Sequence, residues 1–473
     1  MFKLFIGGQW VVTAEKRSVY SPFDRSLVGE VSWGTGADAR SAIDAAEQAT
    51  ASPVPAYRRA EILEEVASRL RNAKAEFART IALEAGKPIT AAEIEVDRAV
   101  QTLLFSATAA RTLAGEVVDL GAHPAGEDRM AIVLRVPIGI VAAIAPFNFP
   151  LNLVLHKIGP AFAAGCASVL KPADKTPLSA LLLAKLFQEA GLPPGWLNVI
   201  VGNAPEIAGV FLSDDRVAVI SFTGSAEIGW MLREKAPKKK VLLELGNATP
   251  LIVLADADLD AAAAAVAAHG YGFSGQSCIS IQRVYADAAI CQRLIDKLLP
   301  KISQLKTGDP LDPSTQVGPL ITEASRDRVL RWIRDAQAQG ATLLAGGSID
   351  GTGILLPTLL TNVSPEMNVS CKEIFGPVVS ITPVSGLNEG IALANGTRYG
   401  LQAALFTNDL SAALIAAKRL EFGAVTVNES PTFRADHMPY GGTKDSGNTR
   451  EGPRYAIEEY TERRTIVLKM PPS

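Results

Sequence analysis

Between Gly139 and Gly246 the chain alternates short β-branched runs with segments of helical period. The apolar runs are "IVAAIAP", "SVLKP", "LNVIVG", "VAVISFTGS" and "VLLELG", and "LSALLLAKLFQEAGLPP" is the clearest intervening helix. Strand and helix at this spacing predict a parallel sheet covered on both faces, a doubly wound arrangement whose ligands bind at the carboxyl ends of its strands. A second series runs from "PLIVLADADLD" through "SIQRVYA", "ASRDRVLRWIRDAQAQGATLLAGG" and "PVVSITPV" to "AVTVNES", which predicts a second α/β domain with its boundary close to Gly246. The fold class is therefore expected to be α/β.

Two stretches belong to neither series. "DRMAIVLRVP" near residue 130 and the terminal "RRTIVLKM" read as exposed strands, and exposed strand edges are usually covered, often by a partner subunit. Upstream, Ala56 to Pro88 sets Ile62, Val66, Leu70, Phe77 and Ile81 on one stripe, which predicts a single packed helix stopped by Gly86 and Pro88. The alanine run Ala261 to Ala265 reads as helix.

At 473 residues the chain exceeds the ~250 to 300 at which one core stops growing, so two or three domains are expected. A hydrophobic fraction of 48% with 20% charged residues excludes a wholly disordered chain. The net charge of -3 and a single short basic run, Lys238 to Lys240, argue against nucleic acid as a partner. The most apolar stretch, "AIVLRVPIGIVAAIAPF", is broken by Arg135, Pro137 and Pro146, and the N-terminus lacks a signal-peptide pattern, so no membrane partner is expected. Cys166, Cys278, Cys291 and Cys371 lie far apart, which favours reduced thiols in a cytoplasm over a disulfide framework or a metal site.

Cys278, in "SGQSCIS", stands among small and polar neighbours. It reads either as an inert buried thiol or as a nucleophile, since a thiolate attacks a carbonyl and leaves a bond that a second step can resolve. Glu244 ends the strand "VLLELG"; a carboxylate there either pairs with a cation or has the shifted pKa of a general base. Asn148, in "APFNFP", is a turn former or a rigid amide that donates to a developing oxyanion. "FTGSAEIG" carries a strand into a helix through Gly224 and Ser225, where backbone amides can approach a phosphate, although the chain contains no GxGxxG. Lys171 and Asp174 of "KPADKTP" follow another strand and are either ribose contacts or solvated loop charges.

Taken in order, "PFNFP", "LKPADKTPLSA", "ISFTGS", "LELGN", "GQSC", "EIFGPV" and "PYGGTKDSG" resemble the aldehyde dehydrogenase superfamily from end to end. The resemblance implies a Rossmann-like cofactor domain over residues 1–118 and 138–246, a catalytic domain over 247–440 and a small β bridging element over 119–137 and 441–473. It implies that Cys278 is the nucleophile, that Asn148 and the Cys278 amide hold the oxyanion, and that Glu244 activates water. It assigns Lys171 to the adenosine ribose, Ser225 after Gly224 to a phosphate, Glu373 to the nicotinamide ribose and Phe375 to the nicotinamide face. The reaction implied is oxidation of an aldehyde to its acid through a thiohemiacetal and a thioester.

Asn247 departs from the second glycine of the usual "ELGG". The C-terminal "NESPTFRADHMPYGGTKDSGNTREGPRYAIEEYTE" resembles the branch acting on small hydroxylated or anionic aldehydes. Within it, Arg434 is a candidate for an acidic substrate group or for a structural salt bridge. His156, eight residues after Asn148, is a second substrate candidate or a packing residue. Asp174 would repel a 2′-phosphate, which favours NAD; the adjacent Lys175 offsets this and leaves NADP open. The bridging strands predict a homodimer or homotetramer. Two other classes compete: a cysteine hydrolase pairing Cys278 with His269, and a non-catalytic oligomeric relative.

Overall fold

The structure is a computed structural model that describes residues 1–471. The first sheet holds five parallel strands in the spatial order Lys240–Glu244, Val217–Thr223, Ile140–Ile144, Ser168–Lys171 and Leu197–Val199. Leu4–Ile6 and Gln9–Val11 extend it as an antiparallel edge. The chain starts the parallel part of this sheet at Ile140–Ile144, builds outward to Leu197–Val199, then returns to the other side of that strand. That reversal opens a crevice beyond the carboxyl ends of Ile140–Ile144 and Val217–Thr223. The segments leaving those two strands are "APFNFP" and "GSAEIG".

The second sheet has the order Thr342–Ala345, Thr358–Thr361, Val378–Val384, Ile281–Asp287, Thr249–Val253, Gln402–Phe406 and Ala424–Val427, parallel except for the first pair. The two large sheets pack separate apolar cores. A three-stranded antiparallel sheet joins Thr461–Lys469, Arg129–Pro137 and Glu116–Asp119. Of the expected bridging span, residues 472–473 lie outside the described residues. Of its C-terminal part, residues 446–448 run along the strand ending in Glu244, Pro453–Glu459 is a helix packed on Asn152–Ala164, and Thr461–Lys469 joins Arg129–Pro137 in the small sheet. Among the described residues, no helix is long and apolar enough to cross a membrane.

The single helix expected from Ala56 to Pro88 is two, Ala56–Asn72 and Lys74–Ala85, broken at Ala73. The apolar stripe survives the break because both pieces pack on one helix, Ile89–Thr112. Periodicity therefore could not register it. Gly86 does end the second piece, with φ +67°, and a Cβ there would lie 2.8 Å from carbons of both Pro22 and Pro319.

Asn152–Ala164 is buried on every side and has no side-chain cap of its own. Glu95 reaches in from Ile89–Thr112 and accepts from the amides of Leu151 (3.0 Å) and Asn152 (3.1 Å). This cap also anchors the segment that carries Asn148, a few residues upstream.

Candidate active site

Cys278 owes its position to a sharp turn. The helix Leu259–Tyr271 ends, and Phe273, Ser274 and Gly275 follow with φ of 50°, 56° and 68°. Three successive left-handed residues are strained unless the surroundings hold them. Here Ser274 Oγ donates to the Gly318 carbonyl at 2.5 Å. The buried Gln276 side chain donates to Pro319 O at 3.3 Å and accepts from Ile321 N at 2.9 Å. The small and polar residues before Cys278 are thus the anchors of the turn that delivers it to the start of Ile281–Asp287.

Asn148 leaves the strand Ile140–Ile144 and is 3% exposed. Its Nδ2 donates to the Gln276 carbonyl at 3.0 Å, two residues before Cys278, which leaves a second amide hydrogen. Glu244 closes its strand with both carboxylate oxygens buried and, among the described residues, without a hydrogen-bond partner. Its predicted alternative, a salt-bridged glutamate, is not what the fold builds. Burial, reinforced by the Glu451 charge and opposed by Arg434 and Lys157, pushes its pKa up to about 8. Burial likewise raises the Cys278 thiol well above its ordinary value; the Glu244 charge adds to this, while the Tyr440 hydrogen bond opposes it. Thiol and carboxyl are close enough to feel each other's charge.

Cys278 opens on a cavity of about 460 Å³ whose wall includes Phe149, Leu153, His269, Arg98, Arg434 and Tyr440. Arg434 donates to Glu451 Oε2 at 2.9 Å, its guanidinium lies 3.8 Å from the Tyr440 ring centroid, and its Nε has no partner. It is both a salt-bridge residue and a wall residue. Arg98, which the sequence reading did not single out, grips Asp436 with two bonds of 2.9 and 3.2 Å across 338 residues of chain. No local pattern announces such a pair. His156 is displaced from its expected role: it is fully buried, its Nε2 lies 3.0 Å from Asp436 Oδ1, and it is absent from the cavity wall. With Asn152 it orients Asp436, and through it Arg98. His269 lines the cavity, but the sulfur of Cys278 hydrogen-bonds Tyr440 and not His269. The paired nucleophile and base of a cysteine hydrolase are not formed.

The residues expected to hold a dinucleotide gather along the crevice of the first sheet and its seam with the second. Lys171 Nζ is buried at the end of its strand and bonds Asp174 Oδ1 at 2.5 Å, so Lys171 is not a solvated loop charge, whereas Asp174 stays at the exposed end of the pair. That pairing also weakens the repulsion expected between Asp174 and a 2′-phosphate. Gly224 joins Val217–Thr223 to the helix Ala226–Lys235, and Ser225 caps that helix by accepting from Ile228 N. Glu373 accepts from Asn247 N at 3.1 Å, and its other oxygen would lie 2.4 Å from a Cβ placed on Gly246. Phe375 adopts φ +50°, with its ring 5.7 Å edge-on from Phe147. Bare glycine against Glu373, a helix N-terminus at the crevice and a buried lysine suit ribose and phosphate groups. Asn247 costs no unusual backbone conformation; its amide donates to Thr249 Oγ1 (2.8 Å) and Gln402 O (2.9 Å), tying Glu244's strand exit to the second sheet.

The model of the aldehyde dehydrogenase family matches residues 10–466. A 3-sulfolactaldehyde dehydrogenase from Priestia megaterium is 44% identical over 469 residues, spanning 99% of this chain and 98% of that protein. A lactaldehyde dehydrogenase from Methanocaldococcus jannaschii is 38% identical, with 98% and 100% covered. The crystal structure of an NADP-dependent glyceraldehyde-3-phosphate dehydrogenase from Bacillus halodurans, complexed with NADP, superposes with a TM-score of 0.96 at 33% identity, covering 99% of each chain.

Proposed function

The chain belongs to the aldehyde dehydrogenase family and is an NAD(P)-dependent enzyme, and we propose that it oxidises a small 2-hydroxy aldehyde bearing an anionic group at its far end. The single observation behind the reaction is Glu244, a buried carboxyl beside the Cys278 thiol with neither oxygen engaged.

In this reading the Cys278 thiolate bonds to the aldehyde carbon, and the free N–H of Asn148 with the Cys278 amide receives the charge that moves onto oxygen. The bound dinucleotide supplies the hydride acceptor. Lys171, Asp174, Ser225 and Glu373 would hold its riboses and phosphates, Gly224 would allow close backbone approach, and Phe375 would pack beside the nicotinamide. Glu244 then takes a proton from water as that water attacks the Cys278 thioester, and the acid is released. A base with a pKa near 8 is partly ionised at neutral pH, which suits it to this step.

Two relatives act on aldehydes that carry a sulfonate or phosphate on the third carbon, which motivates the anionic substrate class. Arg434 and Arg98 on the cavity wall supply the matching chemistry, since each guanidinium keeps N–H groups beyond those its carboxylate partner takes. Initial rates with lactaldehyde, 3-sulfolactaldehyde and glyceraldehyde 3-phosphate, each with NAD and NADP, test the assignment. Preference for the two anionic aldehydes is the expected result; equal or better use of lactaldehyde would remove the anion from the proposal. The outer face of the small sheet, with Val117, Leu134 and Ile466 exposed, is assigned to contact with a second copy, giving a homodimer or homotetramer. Four free thiols fit a cytoplasmic location.

A further inference from the structure

Tyr440 is 2% exposed, and among the described residues the one hydrogen bond of its hydroxyl is to Cys278 Sγ, at 3.1 Å. Its ring is fixed from both sides of the chain. The backbones of Tyr440 and Glu451 exchange hydrogen bonds of 3.1 and 2.6 Å, and Glu451 holds Arg434 over the ring at 3.8 Å. A buried hydroxyl that had no partner would be strongly disfavoured, so this one is committed to the sulfur. We propose that Tyr440 is a further catalytic residue, whose O–H donates to Cys278 Sγ and stabilises the thiolate that attacks the aldehyde.

The inference rests on Cys278 being the nucleophile. The groups acting on that thiol are Glu244 at its strand end, Glu373 ahead of Phe375, and Arg434 and Tyr440 from the C-terminal segment, with His269 also on the cavity wall. Burial and both carboxylates disfavour the thiolate; only Arg434 and Tyr440 favour it. Tyr440 is suited to donate because burial, with the charges of Cys278 and Glu244, holds its own ionisation far above the ordinary phenol value. Arg434 over the ring draws negative charge towards it and makes the O–H a better donor. During attack the S–C bond forms, the carbonyl electron pair moves to oxygen, and Tyr440 keeps its proton.

Alkylation of the cofactor-free enzyme by iodoacetamide, followed by mass at Cys278 across pH, tests this without turnover. Tyr440→Phe should keep the fold and the ring under Arg434, move the alkylation midpoint up by about one pH unit, and slow the reaction about tenfold below it. Site-specific replacement of Tyr440 by difluorotyrosine, a more acidic phenol of nearly equal shape, should move the midpoint down and keeps the test open should the phenylalanine variant misfold. Profiles that superimpose on the wild type in a folded variant overturn the assignment. Cys278→Ala separates the two readings: turnover surviving in it removes the nucleophile itself, whereas loss of turnover with an unshifted Tyr440→Phe profile removes only the tyrosine.

Discussion

Two groups of buried carboxylates show what separates scaffold from site in this molecule. In the helical layer over the first sheet, Glu84 accepts from the amides of Leu178 (2.8 Å) and Ser179 (3.1 Å), and so caps a helix that lacks its own cap. Glu95 does the same for Asn152–Ala164 while ion-pairing with Lys87, whose ammonium also lies 3.7 Å from the Phe149 ring centroid and 4.5 Å from that of Phe273. Every charge there has a partner. Beside Cys278, Glu244 has none, and Asn148 Oδ1 and Arg434 Nε are also unengaged. Polar groups left unsatisfied at such depth work against folding, so their concentration around one thiol marks where the fold is organised for a reacting partner instead of for itself. The two regions touch, because Phe149 follows Asn148 and Phe273 precedes Cys278. Lys87 therefore clamps both loops of the site from the saturated side.

The largest effect expected on the unsatisfied side is from Cys278→Ala, which should lower turnover by ~10^4-fold or more while leaving the thermal midpoint unchanged. Steady-state rates beside a melting curve check it, and a large loss of stability would show that this thiol belongs to the scaffold after all. Next is Glu244→Gln, expected to slow steady-state turnover by about 10^2 to 10^4-fold but to leave a first, rapid burst of one reduced cofactor per site, since only release of the acid needs the base. In the wild type that step should rise with pH through about 8, as the carboxyl ionises, and the rise should vanish in the variant. The same group makes a stability claim. A carboxyl raised from 4.5 to about 8 binds its proton more tightly folded than unfolded, so wild-type stability falls as pH increases across that window. Glu244→Gln should lack this component of the fall, and melting curves at pH 6 and 9 measure it.

On the saturated side the pattern should invert. Lys87→Met strands Glu95 as a buried charge and should cost about 3 to 5 kcal/mol in denaturant unfolding. Little loss of stability there would erase the contrast between the two regions. The smallest effect expected is from Asp174→Asn at the exposed end of the Lys171 pair, which should raise use of NADP relative to NAD by less than about tenfold, read as the ratio of kcat/KM values.

Much of the architecture was legible in the chain because it depends on local period. The five parallel strands, the helix Leu178–Glu189, the Gly86 stop and the two isolated strands follow from spacing and turn chemistry that neighbouring residues express together. The break at Ala73 was not, since an apolar stripe that serves one partner helix looks the same whether continuous or interrupted. Short, alanine-rich Gln402–Phe406 carries too little side-chain signal to be distinguished before its neighbours are known. Cys278, Glu244 and Asn148 were legible as an ordered set of motifs, whereas the choice between substrate contact and packing residue at His156 was not, because the Asp436 it meets lies 280 residues away in the chain.

The amino-acid sequence by itself determined the layer pattern, the ends of the strands and the chemical types available at those ends, since each is set by residues within a few positions of one another. Tertiary structure alone decided which of those groups meet: that Glu244 sits beside a thiol with no cation bonded to it, that Arg434 and Arg98 bring their own carboxylates to the cavity wall, and that a tyrosine hydroxyl reaches the sulfur. Charge, desolvation and hydrogen bonding act over a few ångströms of space, and the residues that supply them here are separated by up to several hundred positions of chain.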